Sequence, residues 1–119
     1  MSTPLPATPS PAGVLSVEEF RRLDLRIGTI LSATDHPQAD RLLVLTVDVG
    51  GETRQLVAGI KGPYQAAELA GKQIIVVANL APATIRGVES QGMVLAAKDS
   101  IQLALLVPER PIQAGSTVK

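Results

Sequence analysis

Apolar and polar side chains alternate along the chain from residue 23 onward. One set of alternate positions is almost entirely apolar: Leu23, Leu25, Ile27, Thr29, Leu31 and Ala33. Successive side chains of a strand point to opposite faces of a sheet, so this pattern predicts a long strand over residues 23–33. Gly28, in the middle of it, predicts a bend or bulge of the kind that a small barrel needs where a strand turns a corner.

Five more strand-like runs follow, separated by turn signals. They cover residues 42–49, 53–60, 73–78, 92–97 and 101–107. Gly50-Gly51 predicts a hairpin turn between the first two, because glycine takes positive φ without steric cost. The run 73–78 is so continuously apolar that both of its faces are expected to be covered.

Two short helices are predicted beside the strands. Ser16 with Glu19 three residues later has the form of a capping box, which predicts a helix over residues 17–22. Gly62-Pro63 opens a second one and Gly71 ends it, so a helix is expected to plug one end of a barrel. The element order predicts an all-β fold with short helices: a five-stranded Greek-key barrel of the OB type, with a helix between strands 3 and 4. The run 101–107 is then an extra C-terminal strand.

Composition narrows the class of protein. The 119 residues fit one domain, and a hydrophobic fraction of 45% excludes a disordered chain. Residues 1–13 carry four prolines and no charge, which predicts a flexible Pro-rich leader before a domain over residues 14–119. The apolar runs are too short to cross a bilayer, no segment resembles a secretory signal and there is no cysteine, so we expect a cytoplasmic protein with no membrane partner.

Charge is balanced overall but polarised along the chain. Eleven basic and eleven acidic side chains argue against an avid nonspecific nucleic-acid binder. Residues 14–53 have a net charge of −3 and residues 54–98 of +3, counted from the sequence. Such a surface can attract phosphate on one side, although from charge alone an ordinary solvated surface is the simpler interpretation. Phe20 and Tyr64 are the two aromatic residues, so base stacking is poorly supported and folded RNA is the more plausible target.

Residues 79–93 form the long interruption between two apolar strands, and we interpret them as a binding loop. Asn79, Arg86, Ser90 and Gln91 offer hydrogen-bond donors and acceptors beside the unbranched Met93. Such a set can hold a phosphate, a ribose and a base edge at one place. The alternative is a structural loop in which Asn79 and Ser90 satisfy backbone groups and Met93 fills the core.

Other chemistry finds little support. His36 lies between Asp35 and Asp40, but a metal site needs three or more convergent ligands, so we interpret it as a surface-loop histidine and expect no metal. Ser90 follows Glu89, yet no base is positioned in the sequence to activate it. We therefore predict no catalytic residues, no cofactor and no enzymatic activity.

Several blocks of the sequence resemble the tRNA-binding domain family, which includes the C-terminal domain of bacterial methionyl-tRNA synthetase and free-standing structure-specific tRNA-binding proteins. The resemblance covers about residues 16–119. It rests on these blocks: Phe20-Arg21-Arg22-Leu23-Asp24-Leu25-Arg26-Ile27-Gly28, Asp40-Arg41-Leu42-Leu43, Ala58-Gly59-Ile60, Val77-Ala78-Asn79-Leu80-Ala81-Pro82 and Arg86-Gly87-Val88-Glu89-Ser90-Gln91-Gly92-Met93.

The resemblance implies an OB-fold that recognises the outside corner of tRNA by shape and backbone, acts as a homodimer through segments outside the barrel, and serves translation. The implied tRNA-binding positions are Arg41, Arg54, Asn79, Arg86, Ser90 and Met93. Many members carry basic residues where this chain has Ala81, Ala83 and Thr84, which implies fewer phosphate contacts.

Two other functions share the resemblance. One is a homodimeric chaperone similar to CsaA that binds unfolded polypeptide, and the other is a docking or dimerisation module of a methionyl-tRNA synthetase, which would make an aminoacyl-tRNA synthetase a partner.

Overall fold

The computed structural model describes residues 13–119. The predicted leader therefore lies outside the described residues, apart from Gly13. The described elements are α1 (Val17–Arg21), β1 (Leu25–Asp35), β2 (Leu43–Asp48), β3 (Thr53–Ala58), a 3-10 turn (Ala66–Glu68), β4 (Gln73–Val77), β5 (Ala83–Ile85), β6 (Val88–Ser90), β7 (Met93–Val94), β8 (Ala96–Lys98), β9 (Leu103–Leu105) and β10 (Thr117–Val118).

The strands form a nearly closed antiparallel barrel. Their order is β3-β2-β1-β4-β7, and β7 lies beside β3. The long β1 is shared between the two halves, because its first residues pair with β4 and its last residues pair with β2. This arrangement confirms the OB-type barrel that the order of strands and helix predicted.

The barrel interior is filled by alternate residues of the strands. In β2, the side chains of Leu43, Leu45 and Val47 are completely buried, while the residues between them are only partly so. Each fully buried leucine or valine stabilises the fold by roughly 1.5–3 kcal/mol relative to an exposed one. Leu69, which follows the 3-10 turn, is also fully buried in this core. The turn packs against β1, and only residues 66–68 of the predicted second helix are helical.

The helix predictions are otherwise close. Ser16 and Glu19 form both hydrogen bonds of the capping box, at 3.1 Å and 2.8 Å, and α1 ends one residue before the predicted boundary. Pro63 does not open the second helical segment. The turn is instead capped by Gln65 and Glu68, with the Gln65 backbone nitrogen donating to Glu68 Oε1 at 2.7 Å.

Gly28 does not mark a bulge. The register of β1 against β2 shifts between Ile30 and Ser32, two residues later than the glycine. A Cβ atom at Gly28 would lie 2.6 Å from Val47 Cγ1 and 2.9 Å from Val76 Cγ2. Glycine is needed here because the side chains of two neighbouring strands occupy the space above its backbone.

The sequence predicted one continuous loop over residues 79–93, and this is wrong. These residues contain a two-stranded hairpin, β5–β6, in which Ala83 pairs with Ser90 and Ile85 with Val88. Gly50-Gly51 forms the predicted hairpin turn, and both glycines have positive φ.

The C-terminal part also differs from the prediction. The expected strand over residues 92–97 is split into β7, which belongs to the barrel, and β8, which pairs with β9. The extra strand is thus a hairpin partner, and its Leu105 is buried in the core. The Tyr64 hydroxyl accepts a hydrogen bond from the Leu105 backbone nitrogen at 3.0 Å. The short β10 was not predicted from the sequence. It pairs with the start of β1.

Candidate nucleic-acid interface

The hairpin β5–β6 is fastened along strand β3 by a pair of glutamines. The Gln91 backbone nitrogen donates to the Gln55 carbonyl oxygen at 2.8 Å. The Gln55 backbone nitrogen donates to Gln91 Oε1 at 2.9 Å, and Gln55 Nε2 donates to the Glu89 carbonyl oxygen at 2.7 Å. Amide side chains can donate and accept at once, so these two residues join the hairpin to the barrel wall over several residues.

Ser90 reinforces the same junction from inside. Its side chain is almost fully buried; Oγ accepts from the Val57 backbone nitrogen at 3.0 Å and donates to the Gly92 carbonyl oxygen at 2.9 Å. The hydroxyl thus satisfies two backbone groups at the junction. The structural alternative considered for Ser90 is therefore what the structure shows.

Arg54 lies at the base of the hairpin, half-buried. Its Nη1 donates to the carbonyl oxygens of Ala78 and Gln91, the latter at 3.3 Å, and its Nε donates to Glu52 Oε2 at 2.7 Å. The guanidinium group thus joins the end of β4 to the end of the hairpin. Only its exposed edge remains for an additional partner.

Asn79 follows β4 and holds the chain that enters β1. Its Oδ1 accepts from the Asp24 backbone nitrogen at 2.9 Å, and its Nδ2 donates to the Arg22 carbonyl oxygen at 2.5 Å. Both polar atoms of the amide therefore bond to backbone groups of the segment after α1. As with Ser90, the structural alternative describes what the structure shows.

The tip of the hairpin is a two-residue turn made by Arg86 and Gly87. Their φ angles are 52° and 89°, and Arg86 is the one non-glycine residue with positive φ in the described chain. Turns with positive φ at both central positions strongly prefer Asn-Gly, because a larger side chain is strained there. Arg86 is exposed, and its Nη2 makes only a long contact, 3.4 Å, with the Gln38 carbonyl oxygen.

His36 is buried, so its interpretation as a surface-loop residue is wrong. It lies where the loop between β1 and β2 meets the hairpin tip, and only 5% of it is exposed. Its Nδ1 accepts from the Gln38 backbone nitrogen at 2.9 Å, and its Nε2 lies 3.0 Å from the Ile85 carbonyl oxygen. The ring packs under the hairpin instead of facing solvent.

Arg41 belongs to the same loop, three residues after Gln38. Its side chain is exposed and makes no ion pair or hydrogen bond with residues 13–119. Lys61 lies nearby, because its backbone nitrogen donates to the Arg41 carbonyl oxygen at 3.3 Å, but its Nζ pairs with Asp35 Oδ2 at 3.0 Å.

Met93 is half-exposed on β7, where it pairs with Val77. The alternative in which Met93 fills the core is therefore wrong.

The structure thus divides the six predicted site residues into two groups. Arg86 lies at the hairpin tip and Arg41 in the β1–β2 loop, and both side chains are exposed. The other four lie away from the tip: Arg54, Asn79 and Ser90 are hydrogen-bonded to backbone groups, and Met93 pairs with Val77 in the barrel. Chemically, the tip can donate to phosphate, while the base fixes the hairpin.

No group of three or more histidine, cysteine, aspartate or glutamate side chains converges on a point within the described residues. None of the helices in this part of the chain has the length and apolar character needed to cross a bilayer.

A family model described as a putative tRNA binding domain matches residues 25–117. Among curated proteins, the chain is 50% identical over 105 residues to a methionine–tRNA ligase of Thermococcus kodakarensis and 51% identical over 105 residues to that of Pyrococcus furiosus. Each alignment covers 88% of this chain and 14% of the relative, so the chain spans about one seventh of the length of these ligases.

Two solved structures are similar over nearly their whole length. One is a MetRS related protein from Pyrococcus horikoshii, with a TM-score of 0.84 and 33% identity, covering 89% of this chain and 98% of that one. The other is the chaperone CsaA from Bacillus anthracis, with a TM-score of 0.82 and 30% identity, covering 90% of this chain and 100% of that one.

Proposed function

The chain belongs to the family of putative tRNA-binding domains, and from this premise we propose that it is a non-catalytic protein that binds folded tRNA by its shape and backbone. The proposal includes recognition of the outside corner of tRNA and a role in translation in the cytoplasm.

The observation that carries the proposal is the conformation of Arg86. An arginine with φ of 52° occupies a turn position where asparagine or glycine would be less strained. Strain of this kind persists where the surrounding structure enforces it, and it concentrates at functional sites. The side chain is exposed, and its one polar contact is long. An open guanidinium group on a fixed hairpin tip suits a phosphate of a folded RNA backbone.

The small number of aromatic side chains supports shape recognition over base reading. Tyr64 is half-buried with its hydroxyl bonded to Leu105, and Phe20 lies on α1, remote in sequence from the hairpin. Modules that bind single strands usually stack bases on several aromatic side chains. The polar hairpin, with Arg86 at its tip, fits backbone contacts better.

Within this proposal the six residues have different roles. Arg41 and Arg86 contact phosphates, and Met93 offers an apolar contact at the edge of the barrel. Arg54, Asn79 and Ser90 act by holding the hairpin and the adjoining segments in place.

Homodimer formation is part of the proposal. An exposed apolar set near the C-terminal end supports it, with Ile101 89% exposed; the set consists of Ile101, Leu106, Val107 and Ile112. Exposed large apolar side chains are common at protein interfaces, and C2 dimers are the commonest symmetric assemblies. Association with a synthetase is the related possibility, supported by the ligases that share this domain. Sedimentation equilibrium at micromolar concentration tests the dimer, and a monomer there would contradict it.

The function is tested by titrating the protein with bulk tRNA at several salt concentrations. A matched RNA of the same base composition without a stable tertiary fold serves as the control. We expect tighter binding to tRNA than to the control, with an affinity that falls as salt rises, because phosphate contacts release counterions. Equal affinity for the two RNAs, or no salt-sensitive binding at low ionic strength, would contradict the proposal.

A second candidate function is chaperone activity on unfolded polypeptide, which the similarity to CsaA supports. The exposed apolar side chains of α1 and its flanks, such as Leu15 and Phe20, would suit such a ligand. Competition between tRNA and a permanently unfolded polypeptide separates the candidates. Displacement of bound polypeptide by tRNA at stoichiometric concentration would favour the RNA function and a shared surface.

A further inference from the structure

We infer that His36 is a positioning residue that fixes the hairpin tip carrying Arg86 against the loop carrying Arg41, and so sets the position of Arg86 for its phosphate contact. The inference rests on the proposed function. It concerns a residue that contacts no ligand itself and acts through the hairpin.

The protonation pattern of the ring follows from its partners. The backbone nitrogen of Gln38 can only donate, so Nδ1, 2.9 Å away, must be unprotonated. In the neutral ring the proton is then on Nε2, which donates to the Ile85 carbonyl oxygen at 3.0 Å. One hydrogen bond thus shapes the β1–β2 loop, and the other crosses from that loop to the hairpin.

The hydrogen bond from His36 Nε2 reaches the hairpin at Ile85, next to Arg86. Ile85 immediately precedes Arg86, and 49 residues separate it from His36 in the sequence. Gln38, bonded to the other ring nitrogen, supplies the carbonyl oxygen that Arg86 Nη2 approaches at 3.4 Å, and Gly87 also lies beside the Gln38 side chain. The histidine therefore organises both sides of the contact between tip and loop.

Burial explains why this bond matters more than the arginine contact. His36 is a buried residue, so breaking its side-chain bonds would leave a polar atom unsatisfied, whereas the exposed Arg86 can exchange its long contact for water. The hairpin is otherwise fastened at its base, through Gln91, Ser90 and Arg54. His36 supplies a fastening at the tip, without which the two-residue turn would move relative to Arg41.

Two substitutions separate the bonds of the ring. An asparagine at position 36 keeps an acceptor near the place of Nδ1 for the Gln38 nitrogen but is too short to reach Ile85. A glutamine places its amide nitrogen near the position of Nε2 and can donate to the Ile85 oxygen. We expect His36→Asn to lose the crossing bond and His36→Gln to keep it.

The first measurement needs no RNA. Amide hydrogen exchange over residues 84–89 reports how firmly the tip is held. We expect exchange there to accelerate by roughly fivefold in His36→Asn, as for the loss of one hydrogen bond, and to return toward the wild-type rate in His36→Gln. Exchange in β2 should be unchanged in both variants, which controls for general destabilisation. Unchanged exchange at the tip in His36→Asn, or equal acceleration in both variants, would overturn the inference.

The second measurement is a double-mutant cycle on tRNA affinity, with Arg86→Ala as the partner substitution. We expect His36→Asn to weaken binding by about fivefold in the wild-type background and by less than about twofold in the Arg86→Ala background, because the histidine acts through the arginine. Additive effects would overturn the positioning role. If wild-type protein shows no preference for tRNA, the proposed function fails by itself, while the exchange experiment still decides whether His36 holds the tip.

Discussion

The hydroxyl group of Ser90 connects the hairpin to the barrel wall through the backbone nitrogen of Val57, 3.0 Å away. The same oxygen donates to the Gly92 carbonyl oxygen at 2.9 Å, so the hydroxyl is both acceptor and donor in a nearly inaccessible site. Ser90, which the resemblance implied as a tRNA contact, thus bonds to backbone groups within the protein. The Ser90 side chain fixes the position of β6 against β3.

Replacing Ser90 by alanine should destabilise the protein by about 1–3 kcal/mol, because the buried Val57 nitrogen loses its acceptor. Urea unfolding followed by circular dichroism measures the change. Ser100→Ala, at an exposed bend, is the matched control and should change the unfolding free energy by less than about 0.5 kcal/mol. A Ser90→Ala variant as stable as the control would show that the hydrogen bond contributes little.

A glycine pair holds the C-terminal segment against the β2–β3 turn. A Cβ atom on Gly115 would lie 2.7 Å from Gly50 Cα, and Gly115 has φ of 90°. Gly51 has a similar φ of 88° but nothing within 4 Å of such an atom. Both alanine variants pay the cost of positive φ, of order 1–2 kcal/mol, but only Gly115→Ala adds a steric clash, typically costing 1–3 kcal/mol more.

We therefore expect Gly115→Ala to lower the thermal midpoint further than Gly51→Ala. Differential scanning calorimetry of the two variants gives the comparison directly. Equal midpoints would mean that the segment moves away from the turn at little cost.

Sequence reasoning located the barrel because its signals were repeated and local. Alternation over β1 and β2, the capping box of Ser16 and the paired glycines at 50–51 each specify one element. It missed the hairpin in residues 79–93, because strands of three residues show no periodicity and the turn carries Arg-Gly where Asn-Gly is the usual signal. The burial of His36 was equally hidden, since the partner that covers it lies 49 residues away.

For the candidate site, the sequence named individual residues but not their structural surroundings. Its site residues, Arg86 among them, stay a prediction. It did not separate exposed guanidinium groups from one that is half-buried, as in Arg54, because hydrogen bonds to distant carbonyl oxygens leave no local pattern. The Gln55–Gln91 pairing has the same long-range origin.

Asn79→Ala should loosen the segment that enters β1, because the Asp24 nitrogen and the Arg22 carbonyl oxygen both lose their partner. Limited trypsin digestion measures this, since Arg21 and Arg22 lie at the end of α1. We expect faster cleavage there in Asn79→Ala. Asn79→Asp retains the acceptor for Asp24 but not the donor, so its cleavage rate should be intermediate, and a rate equal to wild type in both variants would contradict the anchoring role.

The β8–β9 turn should respond to acid through Asp99. The backbone amides of Gln102 and Ile101 donate to its carboxylate, each at 2.8 Å, and hold its pKa below the usual range. Because the pKa is depressed in the folded state, this contribution is present above the unfolded pKa and is lost as pH falls through the folded one. Carboxyl chemical shifts should show Asp99 titrating at lower pH than an unbonded aspartate in a peptide. Titration at the peptide value would contradict the turn geometry.

Arg86 should show opposite effects on stability and on RNA binding. Arg86→Asn places at the strained position a residue that tolerates positive φ, so the unfolding free energy should rise by roughly 0.5–1 kcal/mol. The same change removes a cation from the tip, so tRNA affinity should fall and the slope of log affinity against log salt should decrease by about one.

Two further variants separate charge from backbone strain at this position. Arg86→Lys keeps both the positive charge and the backbone strain. It should retain most of the slope of log affinity against log salt. Arg86→Ala keeps the strain but removes the charge, so it should bind as weakly as Arg86→Asn without the gain in stability. If Arg86→Asn were more stable and bound tRNA with an unchanged salt slope, the strained arginine would have no part in RNA recognition.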